Sequence, residues 1–226
     1  MRRAPPLLLC LAACSFGSPT SSLDAQEPVD DVPSAVCRLG VGPSSIDRGK
    51  VGLSNGGGNV RPLACDGDLR IVGLALDMST QPVNGQDTNS ARGIRIVCAP
   101  VTIDESGSQT GSITTKDIEG AGGAGFSPSM MTPLASCPPG AVLSGLLVHG
   151  SVHVNLFLDA TMTCSAFDAR GQLTGTTAMY IAGSLTDSTN PSQVQCAAGE
   201  QVVSMTTDTG AGLDSLHLFC APTTCE

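Results

Sequence analysis

The chain has 226 residues, 20 acidic and 11 basic side chains and a net charge of −9. An acidic chain without a basic run repels nucleic acid and anionic lipid headgroups, so neither is expected as a partner. Charged residues make up only 14% of the chain and glycine is abundant, with 27 residues. This balance favours a β-rich fold with many turns over a charge-rich disordered chain, and the length suffices for one sizeable domain.

The N-terminus carries an export sequence. Met1-Arg2-Arg3 is basic, and the apolar run Pro5–Ala13 is too short to cross a bilayer. The following Leu11-Ala12-Ala13-Cys14 resembles the bacterial lipobox, in which the cysteine is lipidated and becomes the mature N-terminus. We therefore expect a signal peptide over residues 1–13 and an outer-membrane lipoprotein anchored at Cys14. The alternative is an ordinary signal peptide cut after Ala25, which gives a secreted protein.

Residues 14–36 are polar, rich in proline and aperiodic, and they predict a disordered tether. The folded domain is then expected over residues 37–226. Both forms of export deliver the chain to an oxidising compartment, where disulfides persist.

Eight cysteines remain after Cys10 and Cys14, and an even set in an exported chain implies a disulfide framework. Three stretches have the pattern of a hairpin with one cysteine before its first strand and one at the end of its second. Because the two ends of an antiparallel hairpin are neighbours, each such pair can form a bridge. The predicted bridges are Cys65–Cys98, Cys137–Cys164 and Cys196–Cys220, which leaves Cys37–Cys225 to join the ends of the domain.

The hairpins belong to a threefold repeat, with periods of about 37–98, 98–164 and 164–226. In each period a stretch rich in Gly, Ser and Thr precedes the hairpin, and four short strands per period predict about twelve strands. The stretches Gly107–Thr115 and Gly171–Met179 align, and each predicts a turn between two short strands. Apolar residues alternate along the hairpins and are predicted to form the core: Val72, Leu74, Leu76, Met78, Ile94, Ile96 and Cys98; Val152, Val154, Leu156, Leu158, Ala160, Met162 and Cys164; Leu216, Leu218 and Cys220.

The repeats resemble a known group of proteins. The Cys-x-x-Gly motif, the apolar run around Gly145 and the stretch Gly210–Cys220 resemble jacalin-related lectins. Gly93–Cys98, preceded by the Gly-rich Ser54–Asn59, looks like vitelline-membrane outer-layer proteins. The resemblance implies an all-β fold, a β-prism of three Greek-key four-stranded sheets with pseudo-threefold symmetry. The alternatives are a β-trefoil, which also has three repeats and twelve strands, and then a β-sandwich.

The resemblance to lectins also implies a sugar site, built from a Gly-x-x-x-Asp turn and a Gly-rich loop. Gly210, Gly212 and Asp214 match that turn, whereas the corresponding positions in the first and second repeats hold Arg92 and Leu158. One site of this type is therefore expected at most. The simpler alternative is that the two glycines turn the hairpin and Asp214 caps it.

Other motifs favour structural roles. His149 and His153 have the spacing of a metal pair, but a turn predicted at Gly150-Ser151 separates them. Asp66-Gly67-Asp68 is a fragment of a calcium loop, and the plainer interpretation is a turn that leads into a strand. No Cys-x-x-Cys pair occurs, and nothing in the sequence positions a catalytic pair of carboxylates.

The sequence thus predicts a non-enzymatic protein, exported and lipid-anchored, that binds carbohydrate or another envelope ligand. The alternative is a structural or interaction protein of the envelope without a small-molecule site. No metal and no cofactor are expected. The expected partners are the membrane, through the lipid anchor only, and glycans or envelope proteins.

Overall fold

The computed structural model describes residues 36–52, 59–83, 86–104, 107–119, 130–151, 157–181, 188–209 and 213–225. All of them lie in one compact unit, Ser34–Glu226. The predicted signal peptide, Cys14 and the tether up to residue 35 lie outside the described residues and remain predictions. No helix in the described ranges is long and apolar enough to cross a membrane.

The described residues form sixteen β-strands. In chain order they are β1 (Cys37–Val41), β2 (Ile46–Gly52), β3 (Asn59–Ala64), β4 (Arg70–Val83), β5 (Gln86–Ala99), β6 (Val101–Asp104), β7 (Gly107–Thr110), β8 (Thr114–Glu119), β9 (Met130–Met131), β10 (Ala135–Ser136), β11 (Ala141–Ser151), β12 (Phe157–Phe167), β13 (Leu173–Ile181), β14 (Ser188–Gln195), β15 (Glu200–Thr209) and β16 (Leu213–Cys225).

The strands form three sheets, each organised around one cysteine-bounded hairpin. Sheet I has the order β8-β5-β4, with β9 and β10 one after the other along the other edge of β4. Sheet II has the order β13-β12-β11-β14. Sheet III has the order β3-β15-β16-β2, and β1, β6 and β7 extend it from the C-terminal end of β16. Each hairpin thus has one flanking strand position on either side, which is the predicted Greek-key plan, and the alternatives of a trefoil and a sandwich are wrong.

The sheets do not follow the predicted repeat boundaries. Sheets I and II each consist of a hairpin and the strands that come after it, rather than the stretch before it. Sheet III combines the last hairpin with β2 and β3 from the N-terminal part, so the repeats 37–98, 98–164 and 164–226 cut across the sheets. The strand counts of sheets I and III also differ from four, because the edge strand of sheet I is split in two and β1, β6 and β7 extend sheet III.

Two local predictions in sheet II are corrected as well. The stretch that was expected to turn near Gly175 is one continuous strand, because β13 pairs with β12 along its length. Gly150 and Ser151 lie inside β11, paired with β14, rather than in a turn. β12 begins at Phe157, and the predicted alternation over residues 152–156, together with His153, lies outside the described residues.

The predicted core lies between the three sheets. Leu74, Ile96, Met162, Leu216 and Leu218 are among the residues with no exposed surface there, and each such side chain contributes about 1.5–3 kcal/mol by its burial. The described members of the predicted set that share this core are Leu74, Leu76, Met78, Ile94, Ile96, Cys98, Ala160, Met162, Cys164, Leu216, Leu218 and Cys220.

Val72 is the exception within that set, because it packs in a second apolar cluster. The ladder between β4 and β5 shifts register between Ile71 and Gly73, so Val72 is the extra residue of a β-bulge and turns to the other face. There it meets Leu39 of β1, Val101 of β6 and Phe167 of β12. The N-terminal strands therefore cover the outer faces of sheets I and II.

Four disulfides close the fold in the pairs that the repeat pattern predicts. Cys65–Cys98, Cys137–Cys164 and Cys196–Cys220 each join the segment that leaves one sheet to the second strand of the next hairpin. Cys37–Cys225 joins the two ends of the domain across a sequence separation of 188. The Cys-x-x-Gly motif ends in a tight turn, in which Gly140 and Gly199 have φ of 72° and 80°, a conformation that favours glycine.

Candidate functional site

The candidate site lies at one end of sheet III, where two connections start and finish. Gly52 at the end of β2 pairs with Ser215, and Asn59 at the start of β3 pairs with Thr209. The strand ends that flank the Gly-rich segment 53–58 and the segment 210–212 therefore lie side by side. Gly210 and Gly212 themselves lie outside the described residues, whereas Asp214 is described.

Asp214 is the extra residue of a β-bulge. Asp208 of β15 pairs with Ser215 and Thr209 pairs with Leu213, so the ladder skips Asp214. Its neighbours Leu213 and Ser215 have no exposed surface, while Asp214 is half-buried. Bulges of this kind re-aim a side chain and are common beside binding sites. The alternative, in which Gly210 and Gly212 turn the hairpin and Asp214 caps it, stays a prediction, because residues 210–212 lie outside the described residues.

The same bulge recurs in the other two hairpins. In sheet I, Asp77 pairs with Gly93 and Met78 with Ala91, so Arg92 is the extra residue of the bulge. In sheet II, His149 pairs with Asp159 and Gly150 with Phe157, so Leu158 is unpaired. The alignment of Asp214 with Arg92 and Leu158 is therefore a structural equivalence. Among these three positions only the one in sheet III has a carboxylate.

A second carboxylate at this end of the sheet, Asp208, was not predicted from the sequence. The Ser215 hydroxyl donates to Asp208 Oδ2 at 2.8 Å, and the hydroxyl of the buried Thr207 donates to the Arg61 carbonyl oxygen at 3.3 Å. These bonds fix the strand ends from which the two connections leave. Asp77 and His149 occupy the same position before the bulge in sheets I and II, so an alignment of the three hairpins through this bulge would have marked the position as polar.

An ion pair at the opposite end of sheet III holds β2 near the hairpin. The Arg48 guanidinium donates to both carboxylate oxygens of Glu200, with Nε 2.9 Å from Oε2, and the Ala197 N–H donates to Oε2 at 3.0 Å. Burial of Glu200 raises the pKa of its carboxyl, but the hydrogen bonds from Arg48 and Ala197 outweigh it, so the pKa is below its ordinary value. The pair stabilises the strand that carries Gly52 to the candidate site.

The residues that could hold a metal ion have other partners. Among the described residues, one group of three potential ligands lies close together, namely Cys196, Glu200 and Cys220. The two cysteines form a disulfide and have no thiolate to offer.

The predicted turn at Asp66–Asp68 is present, since the Leu69 N–H donates to the Asp66 carbonyl oxygen at 3.1 Å. Each of its carboxylates is in a surface ion pair: Asp66 lies 2.6 Å from Lys116 Nζ, and Asp68 lies 3.0 Å from an Arg38 nitrogen.

A cavity of about 210 Å³ lies away from Asp214. Its lining includes Val41, Gly67, Arg70 and Val202, near the Cys65–Cys98 bridge. The Arg70 guanidinium already donates to the carbonyl oxygens of Leu39, at 2.8 Å, and Leu69, at 3.0 Å. The polar group that lines this cavity is thus engaged in holding β1 to sheet I, and the cavity does not extend the candidate site.

The fold is similar to that of plant lectins of known structure. Calystegia sepium agglutinin matches with a TM-score of 0.52 and 15% identity, over 80% of this chain and 98% of that chain. The Calsepa lectin in complex with a biantennary N-glycan gives a TM-score of 0.51, with the same 15% identity and coverage of 80% and 98%. A mannose-binding jacalin-related lectin from Ananas comosus gives a TM-score of 0.42 and 14% identity, over 79% of this chain and 98% of that chain.

No protein-family model matches the chain, and no curated protein does so either. At 15% identity the likeness to the Calystegia lectin shows the fold alone. The fold is therefore a β-prism like that of jacalin-related lectins, as the sequence predicts.

Proposed function

We propose that the chain is a non-enzymatic carbohydrate-binding protein, with its site at the end of sheet III formed by Gly210, Gly212 and Asp214. The observation that carries the proposal is the position of Asp214, which is the extra residue of a bulge at the edge where both connections leave the sheet. A sugar presents adjacent hydroxyls, and one carboxylate accepts hydrogen bonds from two of them. Glycines let backbone N–H groups approach the same hydroxyls closely.

The comparisons support a glycan as the ligand class. The Calsepa lectin, which has the same fold, was crystallised with a biantennary N-glycan. The equivalent positions in sheets I and II hold Arg92 and Leu158, which cannot accept hydrogen bonds from hydroxyls. The proposal is therefore one site per chain.

We also propose that the protein is exported and anchored in the outer membrane through a lipid on Cys14. The four disulfides support export, because such bonds persist in oxidising compartments. Mass spectrometry of the N-terminal peptide of the mature protein tests the anchor. A mature N-terminus at Gln26 would instead support the secreted alternative.

The substitution Asp214→Ala tests the site on a glycan array. We expect the wild-type protein to bind one class of glycan and the variant to lose at least about tenfold in affinity, since a hydrogen bond to a charged group contributes about 1.5–3 kcal/mol. The matched control is Asp68→Ala, which removes an exposed carboxylate outside the site, 3.0 Å from Arg38. The control should bind as the wild type does.

Two results would contradict the proposal. If Asp214→Ala leaves every binding response unchanged while the protein binds glycans, the site is elsewhere. If Asp68→Ala loses as much binding as Asp214→Ala, the response depends on net charge rather than on a defined site.

The alternative is a structural or interaction protein of the envelope that has no sugar site. One observation favours it: the described strand ends that flank the two connections carry no aromatic side chain on which a sugar ring could stack. A silent glycan array with wild-type protein, together with retention of the protein on envelope fractions, would support this alternative.

A further inference from the structure

β13 is an edge strand with an unusual degree of exposure. It pairs with β12 on one side, and no strand among the described residues pairs with its other side. Residues 173–178 and Tyr180 are exposed, Met179 is half-buried and Ile181 is buried. Because side chains alternate between the two faces of a strand, exposure of six consecutive residues means that both faces are open. The strand therefore presents a row of backbone N–H and C=O groups that can pair with another strand.

The other described sheet edges carry features that oppose pairing. Proline, which cannot donate a ladder hydrogen bond, lies inside β3 as Pro62 and inside β14 as Pro191. β2 and β8 contain charged residues, and β9 and β10 have two residues each, too few for a stable ladder. β7 has four residues. By contrast β13, with nine residues, contains no proline and no charged side chain.

We propose that β13 pairs antiparallel with β13 of a second copy of this chain. The two copies would be related by a two-fold axis, and sheet II would continue across that axis as one sheet of both copies. Antiparallel pairing of a strand with itself is isologous, because each copy contributes the same residues and the contact closes after two chains.

Electrostatics favours this edge for self-association. The chain has a net charge of −9, so two copies repel each other unless they meet at a neutral surface. β13 places no carboxylate in the contact. It is thus an edge at which two acidic copies can approach without like charges opposite one another.

The side-chain pattern of β13 is also compatible with a two-fold axis at its middle residue, Thr177. In that register Thr174 lies opposite Tyr180 of the second copy, and Thr176 lies opposite Ala178. All four residues are exposed in the single chain and share one face of the strand. Pairs of an aromatic and a β-branched residue stabilise antiparallel strands, and the contact would cover the exposed Tyr180 ring.

The N-terminal tether is less suited to pair with β13 than a second copy of β13 is. Its residues up to 36 include Pro28 and Pro33, which lack the N–H that a ladder requires, and the acidic pair Asp30-Asp31. A nine-residue run suited to β13 is not available between them. The second copy offers such a run in β13 itself.

The contact is expected to be weak and to depend on concentration. A nine-residue strand is about 30 Å long, and an interface built mainly on one strand pair falls at the small end of specific interfaces. Sedimentation equilibrium of the full-length chain over a range of concentrations should therefore show a twofold rise in mass. Thr177→Lys, which places two ammonium groups opposite each other at the axis, should raise the dissociation constant at least tenfold.

The matched control is Gln193→Lys on β14, the other edge of sheet II, where Gln193 is exposed and Pro191 already opposes pairing. This variant should associate as the wild type does. Hydrogen exchange gives a second measurement without substitution: amides of residues 173–181 should exchange at least tenfold more slowly at high protein concentration than at low.

Three results would overturn the proposal. The first is a wild-type chain that stays monomeric at every concentration, which is also the result expected if β13 binds a strand of another protein. The second is that Thr177→Lys, checked for folding by circular dichroism, associates as tightly as the wild type. The third is that hydrogen exchange over residues 173–181 does not depend on protein concentration.

Discussion

Sheets II and III have the same plan but are assembled from different parts of the chain. Both have the Greek-key order, both hairpins carry the bulge near the tip, and both are joined to the preceding sheet by a disulfide. Sheet II consists of consecutive strands between Ala141 and Gln195. Sheet III needs β2 and β3 from the N-terminal part and β15 and β16 from the C-terminal part, so its stability depends on contacts that are distant in sequence.

The difference matters because the candidate site lies in sheet III. The Gly-rich connection follows β2, and the segment before Asp214 follows β15. The two parts of the site therefore come together only when the two ends of the domain meet. Sheet II, which closes without this long-range step, has Leu158 in place of Asp214. Contacts that join the ends of the domain are thus expected to affect both stability and ligand binding.

The largest effect is expected from removal of the bridge between the ends. The double substitution Cys37→Ala with Cys225→Ala should lower the free energy of unfolding by about 4–5 kcal/mol, because the bridge closes a very long loop in the unfolded chain. Urea unfolding, with the m-value checked for constancy, measures this loss.

The matched control removes the bridge of sheet II with Cys137→Ala and Cys164→Ala. That bridge spans a sequence separation of 27 rather than 188, so the expected loss is about 3 kcal/mol. A greater loss for the sheet II bridge would show that the contribution of each bridge to the free energy of unfolding depends mainly on burial of its sulfur atoms, rather than on loop length.

A smaller effect is expected from Glu200→Gln, which weakens the ion pair that holds β2 in sheet III. The position equivalent to Glu200 in sheet II is Ala141, four residues after its cysteine, so sheet II has no such pair. The substitution should cost about 1–3 kcal/mol at neutral pH, since it removes charge-assisted hydrogen bonds. Arg48→Gln provides the reciprocal variant in the urea experiment.

The effect of Glu200→Gln should depend on pH. The pKa of Glu200 in the folded protein is below its ordinary value of 4.5, so the carboxylate stabilises the folded state above that value. This stabilisation is lost as the pH falls through the lowered pKa, because protonation removes the charge. The difference between wild type and variant should therefore shrink in acid. A difference that is constant over this range would mean that Glu200 acts through packing alone.

The smallest effect is expected at the residue that follows the bulge nearest the cysteines. In sheet II this position is Gly145, and a Cβ there would lie 3.0 Å from the Val194 carbonyl oxygen and would meet the Gln195 side chain. Gly145→Ala should cost about 1–2 kcal/mol through overpacking. The equivalent residue in sheet III is Ser204, so Ser204→Ala should change stability by less than about 0.5 kcal/mol. Equal losses would show that the two bulges are equally crowded.

Several features follow from local sequence alone. The cysteine spacing and the alternation of apolar residues predict the three hairpins, their bridges and the core positions, because strand period and hairpin geometry depend on neighbours in the chain. The alignment of Asp214 with Arg92 and Leu158 also follows from the repeats. The β-prism fold was accessible through the resemblance of short Gly-based motifs.

Other features depend on the tertiary structure. Val72 turns away from the core because of a bulge, and Asp208 enters the candidate site because β15 pairs with β16 in one register. Neither follows from strand period, since a bulge shifts the alternation without a mark in composition. The choice of β2 and β3 as partners of the last hairpin likewise depends on which edges remain unpaired.

The sequence by itself therefore determined the hairpins, their disulfides and the residues that fill the core, because each rests on interactions between near neighbours or on hydrophobic period. Only the tertiary structure decided that sheet III unites the two ends of the domain, that Asp214 is the extra residue of a bulge beside the Gly-rich connection, and that β13 is left as a neutral open edge. The first of these depends on strand pairings over more than a hundred residues, which are selected by the shared core and not by local sequence.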